Sequence, residues 1–123
     1  MKYILIFVFV LFCGLSVGSL KNMHKYGYGV NDAFWRVVWA IDEGTIWAEN
    51  FSEEKFKKVK VGMTMEQVVS LLGQPLNSSE RCENGCSWSY TKQDSGSSDY
   101  DQRRIFFDKN RLVIEVRKTF FID

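Results

Sequence analysis

Apolar residues follow three spacings along this chain, and each spacing predicts a different element. The first is unbroken: residues 4–13 are apolar throughout, Lys2 precedes them, and the small residues Gly14, Ser16, Gly18 and Ser19 follow. The second has the period of a helix. Phe34, Val37, Val38 and Ile41 share one face of a segment that Asp32 can cap and Gly44 can end, with Trp35 and Trp39 on a neighbouring face. Phe56 and Val59, and then Met65, Val68, Val69 and Leu72, repeat the pattern in two shorter stretches. The third alternates with period two beyond Pro75, as strands do.

The helical stretch in residues 60–75, KVGMTMEQVVSLLGQP, is defined at both ends. Thr64 is an N-cap, and Gln67 three positions on completes a capping box. Gly73 is expected to stop the helix in a left-handed conformation, and Pro75 forbids continuation. The preceding helix is expected to begin at Ser52, with Phe51 and Phe56 forming a hydrophobic staple and Glu53 and Glu54 on the positive helix end. Lys55, Lys57, Lys58 and Lys60 make a basic run beside its outer face, either solvated or touching anionic lipid.

In the alternating region, residues 83–85 separate 76–82 from 86–92 and predict a hairpin. Cys86, Trp88 and Tyr90 share one face of its second strand, and Ser87, Ser89 and Thr91 the other, which is expected to be wet. Residues 93–102, QDSGSSDYDQ, read as a flexible loop. A second hairpin follows, turning at Lys109 and Asn110, with Ile105, Phe107, Leu112, Ile114 and Val116 inward. Two short helices followed by three or four amphipathic antiparallel strands give an α+β fold in which the helices cover one face of the sheet. Its expected core joins Phe56, Val59, Val68 and Leu72 to Trp88, Tyr90 and those five.

The spacing V-x-x-G-M-T-x-x-x-V-x-x-x-L-G-x-P, carried here by Val59, Gly62, Met63, Thr64, Val68, Leu72, Gly73 and Pro75, resembles the SmpA/OmlA (BamE-like) family of small lipoprotein domains. Trp88 and Tyr90, and then residues 107–110, continue the likeness downstream. The resemblance covers roughly residues 52–116 and implies the same helix-helix-sheet order. The motif residues themselves are read as structural: they stop, cap and pack helices, and none is chemically reactive.

The ends and the cysteines supply an address. The charged, apolar, small-residue order of residues 1–19 is that of a secretory signal or lipoprotein leader, and an uncleaved anchor is the alternative. Cys13 ends the apolar run where a lipoprotein keeps its acylated cysteine, although Phe12 replaces the small residue usual before it. Cleavage after Ser19 would remove Cys13 and leave the pair Cys82 and Cys86, which flank the hairpin loop and are expected to form a disulfide in an oxidising compartment. Residues 20–50 read as a polar linker, 21–31, and an aromatic arm that is helical or extended. The arm packs on the domain, or Trp35 and Trp39 face a partner or a lipid interface. Residues 51–123 form the domain.

Charge and composition narrow the function. Lys plus Arg total 16 against 15 Asp plus Glu, so the net charge of +1 offers no footprint for nucleic acid. An aromatic content of 15% with one proline suits a small domain whose core relies on large rings. His24 stands alone in the linker, so neither a metal cluster nor a Ser/His/Asp arrangement can be assembled, and no phosphate-cradling glycine loop is present. No catalysis, metal or cofactor is expected. The resemblance implies an exported, periplasmic accessory protein of a Gram-negative envelope that binds and supports the machinery inserting β-barrel proteins. A second class shares the helix-helix-sheet unit, the proteinaceous β-lactamase inhibitors, so an inhibitor or ligand-binding module is the alternative.

Overall fold

The computed structural model describes residues 1–39, 44–79, 82, 83 and 85–122. Two units are distinguished, residues 1–43 and 44–123.

The first unit is a pair of helices, α1 (Lys2–Tyr26) and α2 (Val30–Val38). The linker expected over 21–31 is therefore mostly helical. Residues 21–26 contain neither glycine nor proline, His24 and Lys25 suit the negative helix end, and the stop comes at Gly27, left-handed at φ 66°, whose N–H reaches the Met23 carbonyl. Helix α2 starts three residues earlier than expected. Gly29 occupies its N-cap position, so Asp32 lies in the first turn and does not cap. Ile41, placed on the apolar face by the sequence, lies outside the described residues. Gly44 does not end this helix; it precedes a strand. The two helices pack through Ala33, which is fully buried, through Asn22 Nδ2 donating to the Ala33 carbonyl at 3.3 Å, and through Arg36 donating to the Tyr26 hydroxyl at 3.1 Å.

The second unit holds β1 (Thr45–Trp47), α3 (Glu53–Phe56), α4 (Met65–Leu72), β2 (Asn77–Ser78), β3 (Cys86–Ser89), β4 (Thr91–Gln93), β5 (Asp99–Phe107) and β6 (Val113–Ile122). It is α+β, with a four-stranded antiparallel sheet in the order β2-β3-β5-β6 and a two-stranded sheet β1-β4. Helix α4 has the capping box in full. The Gln67 N–H donates to Thr64 Oγ1 at 3.2 Å, and the Thr64 N–H donates to Gln67 Oε1 at 3.0 Å. Gly73 does close α4 at positive φ, 80°, but with ψ −168° it is not left-handed helical, and it occupies a region almost reserved for glycine. Helix α3 is a single turn, and Ser52 makes no side-chain cap. The Phe51 and Phe56 rings nevertheless meet at 5.6 Å.

Phe56, Val59, Met65, Val68, Leu72, Tyr90, Ile105, Phe107 and Val113 are buried together, with Trp88 and Val116 packed against them. Ile114, expected inward, is 54% exposed, and Val113 takes its place. The cause is a bulge: Phe106 pairs with Glu115 but Phe107 pairs with Val113, which leaves Ile114 as an extra residue and shifts the alternation.

Two further expectations are corrected by the sheet. Residues 99–102 belong to β5 and not to a loop, and Asp99, Asp101 and Gln102 are buried. Their backbone pairs with β6, and the Asp101 N–H donates to Thr45 Oγ1 at 2.8 Å, so polar side chains on this strand do not mean a wet one. Ser89 and Thr91 are also buried, because the chain turns between β3 and β4 and the hydroxyls find partners within the fold. Ser89 Oγ donates to the Thr91 carbonyl at 2.7 Å, and Thr91 Oγ1 accepts the Arg103 N–H at 2.8 Å.

Candidate interaction surfaces

The Gly62, Met63 and Thr64 segment is fastened to the sheet through its main chain. The Gly62 N–H donates to the Val113 carbonyl and the Val113 N–H to the Met63 carbonyl, each at 2.8 Å, and Thr64 bridges Leu112. Gly62 sits at φ 91°, which glycine alone adopts without strain. Met63 is half-buried against the core, and its sulfur receives the Lys60 N–H at 3.4 Å. Pro75 follows the end of α4 and is half-buried. The most recognisable triplet thus joins the start of α4 to the start of β6.

Beside it, Met63, Glu66, Gln67, Ser70 and Leu71 line a shallow concavity of about 500 Å³ on the outer side of α4. Its floor is thioether and aliphatic, and its rim is polar. Glu66 carries a carboxyl held below its usual range, first by its own backbone N–H, next by the Thr64 hydroxyl, against a small opposing desolvation, with Arg111 adding attraction. Val61, next to the motif, is 69% exposed.

A second concavity, of about 360 Å³, is polar. Asn77, Ser79, Ser87, Tyr100 and Arg104 contribute to it, and among the described residues no acidic one does. The sequence did not single it out, because isolated serines in strands carry no motif. The one signal was the serine alternation in 87–91.

The Arg103 guanidinium is fully buried inside the domain. Its Nε donates to Glu53 Oε1 at 2.6 Å and its Nη1 to the Gln102 carbonyl at 2.9 Å, and the Trp47 ring lies 5.7 Å from its carbon. The pair ties the one-turn α3 to β5.

Cys82 and Cys86 form a disulfide, with Cα atoms 4.6 Å apart. Cys82 lies outside β2 and Cys86 opens β3, so the bridge closes the turn instead of joining two strands face to face. Gly85, at φ 96°, donates its N–H to the Cys82 carbonyl at 3.1 Å, while Asn84 lies outside the described residues. Lys57 and Lys58 are exposed. In the other unit Cys13 is exposed on α1, and Trp35 and Trp39 are 38% and 45% exposed. His24 lies on the exposed side of α1 near its end. Among the described residues, no group of three or more His, Cys, Asp or Glu side chains is placed to hold a metal ion.

The family model described as the outer membrane protein assembly factor BamE domain matches residues 50–117, more than half of the 123. No curated protein matches the chain. A solved structure described as a putative osmotically inducible lipoprotein, OsmE, is similar at 23% identity over 51% of this chain and 71% of that one, with a TM-score of 0.40.

Proposed function

The chain belongs to the BamE domain family of outer membrane protein assembly factors, and from that membership we propose that it is a non-catalytic accessory protein of the cell envelope. It acts in the periplasm, where it braces β-barrel assembly components by surface complementarity. The observation that carries the reading is that the family motif is consumed by folding: its glycine turns, its methionine packs, its threonine caps, and its main chain bonds to β6. What remains for a partner is the adjoining surface. The thioether and aliphatic floor beside exposed Val61, with a polar rim, has the composition of a small protein-binding patch.

Crosslinking in intact cells followed by purification of the tagged full chain tests this. Barrel-assembly components should be recovered. Val61→Asp and Ser70→Arg, both at exposed positions, should lower that recovery roughly tenfold, a loss of about 1.4 kcal/mol, at unchanged melting temperature. Recovery of a soluble periplasmic enzyme in their place would shift the reading to an inhibitor, and unchanged recovery in both variants would move the contact away from α4.

A further inference from the structure

We infer that α1 is retained as a membrane anchor, and that α2 folds back on its carboxy-terminal end as an aromatic collar at the bilayer surface. The inference rests on the envelope reading above only for the side of the membrane that the domain faces.

Residues 3–12 of α1 are all exposed, and ten large apolar side chains in a row have no cover among the described residues of their unit. Together, residues 3–20 rise roughly 27 Å as a helix, close to the hydrocarbon thickness of about 30 Å. The polar residues that dilute this stretch are satisfied internally. Ser16 Oγ donates to the Phe12 carbonyl and Ser19 Oγ to the Leu15 carbonyl, both at 2.8 Å, as a lipid environment demands. The occupant of the apolar surface is therefore a bilayer.

The far end of the same helix is built to be kept. Gly18 is the seat for Val37 of α2: a Cβ added there would lie 2.9 Å from a Val37 methyl carbon, the small-residue approach by which helices pack in membranes. Ser19 and Tyr26 are buried in the pairing, the Asn22 amide reaches the Ala33 carbonyl, and the Arg36 guanidinium stacks over the Tyr26 ring at 4.2 Å. Cleavage after Ser19 would remove Gly18 and bury nothing in its place. Acylation at Cys13 with loss of the preceding residues would shorten the apolar helix by half.

What α2 then presents suits a bilayer surface. Val30, Phe34, Trp35 and Trp39 are exposed, the Phe34 and Trp35 rings meet edge to face at 5.3 Å, and the Trp35 indole N–H donates to Asn31 Oδ1 at 3.1 Å. Aromatic rings with one polar edge collect at the headgroup level. Lys21, Lys25 and Arg36 line a cavity with Val17 and Leu20 where the apolar run ends, and lysine and arginine there lie at the depth of lipid phosphates.

The test uses the full chain with a C-terminal tag, expressed in a Gram-negative host and purified from membranes. Its intact mass should contain all of residues 1–123, and it should resist extraction by alkaline carbonate. A chain beginning after Ser19, a lipid adduct on Cys13, or release into carbonate overturns the anchor. For the collar, hydrogen exchange is compared between the wild type and Gly18→Leu, a change that keeps the helix apolar but fills the seat of Val37. Amides of Val30–Val38 should exchange at least tenfold faster in the variant, and equal rates overturn the packing. Neither readout depends on recovering a barrel-assembly partner, so failure of the functional proposal and failure of this one are separable.

Discussion

Tyr90 joins the sheet to the end of a helix through one hydroxyl. Its ring is fully buried and its phenol donates to the Gly73 carbonyl at 3.0 Å, which satisfies an acceptor that the end of α4 leaves open. Burial pushes the phenol well above its ordinary value of 10.0. The folded pKa is raised, so this contribution to stability is full below about pH 10 and is lost as the pH rises toward the folded value. Tyr90→Phe should cost about 1 kcal/mol at neutral pH, and its melting temperature should fall less steeply above pH 10 than that of the wild type; parallel alkaline profiles would assign the loss to another group. Glu66 runs the opposite way. Its lowered carboxyl pKa contributes stability that is present above the usual carboxylate range and lost as the pH falls through the folded value. In Thr64→Ala the Glu66 titration, followed by NMR, should move back toward 4.5, because the hydroxyl that bonds the carboxylate is gone.

At the scale of elements, α3 is too short to hold itself, since a single turn leaves its nucleation cost unrecovered. The Glu53 and Arg103 pair, with Phe56 in the core, holds it against β5. Glu53→Ala removes the Glu53 carboxylate from the buried guanidinium and should destabilise by about 3 kcal/mol, whereas Glu53→Leu with Arg103→Met should recover most of the loss in a double-mutant cycle followed by urea unfolding. The same elements show what the sequence could carry. Helix α4 was legible residue by residue because its cap, its apolar face and its stop are local. Strand β1 was not, because three residues carry no periodicity. The first half of β5 was missed because its buried aspartates and glutamine owe their place to pairing with β6 and to Thr45, fifty-six residues away from Asp101 in the chain. Ile114 was misplaced for a related reason: a bulge shifts the alternation after the turn, and no residue type announces it. At the interaction surface the motif residues were legible as structural. The floor beside them was not, because exposure of Val61 and Ser70 is decided by the packing of α4.

For the whole molecule, the second unit has a core of its own. Its main buried cluster runs from Ala48 to Val116, with Phe120 buried beyond it, its disulfide is internal, and the Gly44 N–H donates to the Asp99 carbonyl at 2.9 Å. The first unit carries the exposed apolar helix and pairs it with α2. Each unit has packing and hydrogen bonds of its own, which is the condition for independent folding. Residues 44–123, produced in an oxidising compartment, should stay monomeric without detergent and unfold in one cooperative transition within about 5 °C of the domain transition in the detergent-solubilised full chain, a shift that corresponds to roughly 1 kcal/mol at this size. Calorimetry and sedimentation check it. A broad transition, or a dye-binding state with native secondary structure but loose packing, would mean that the domain needs the helical pair to fold.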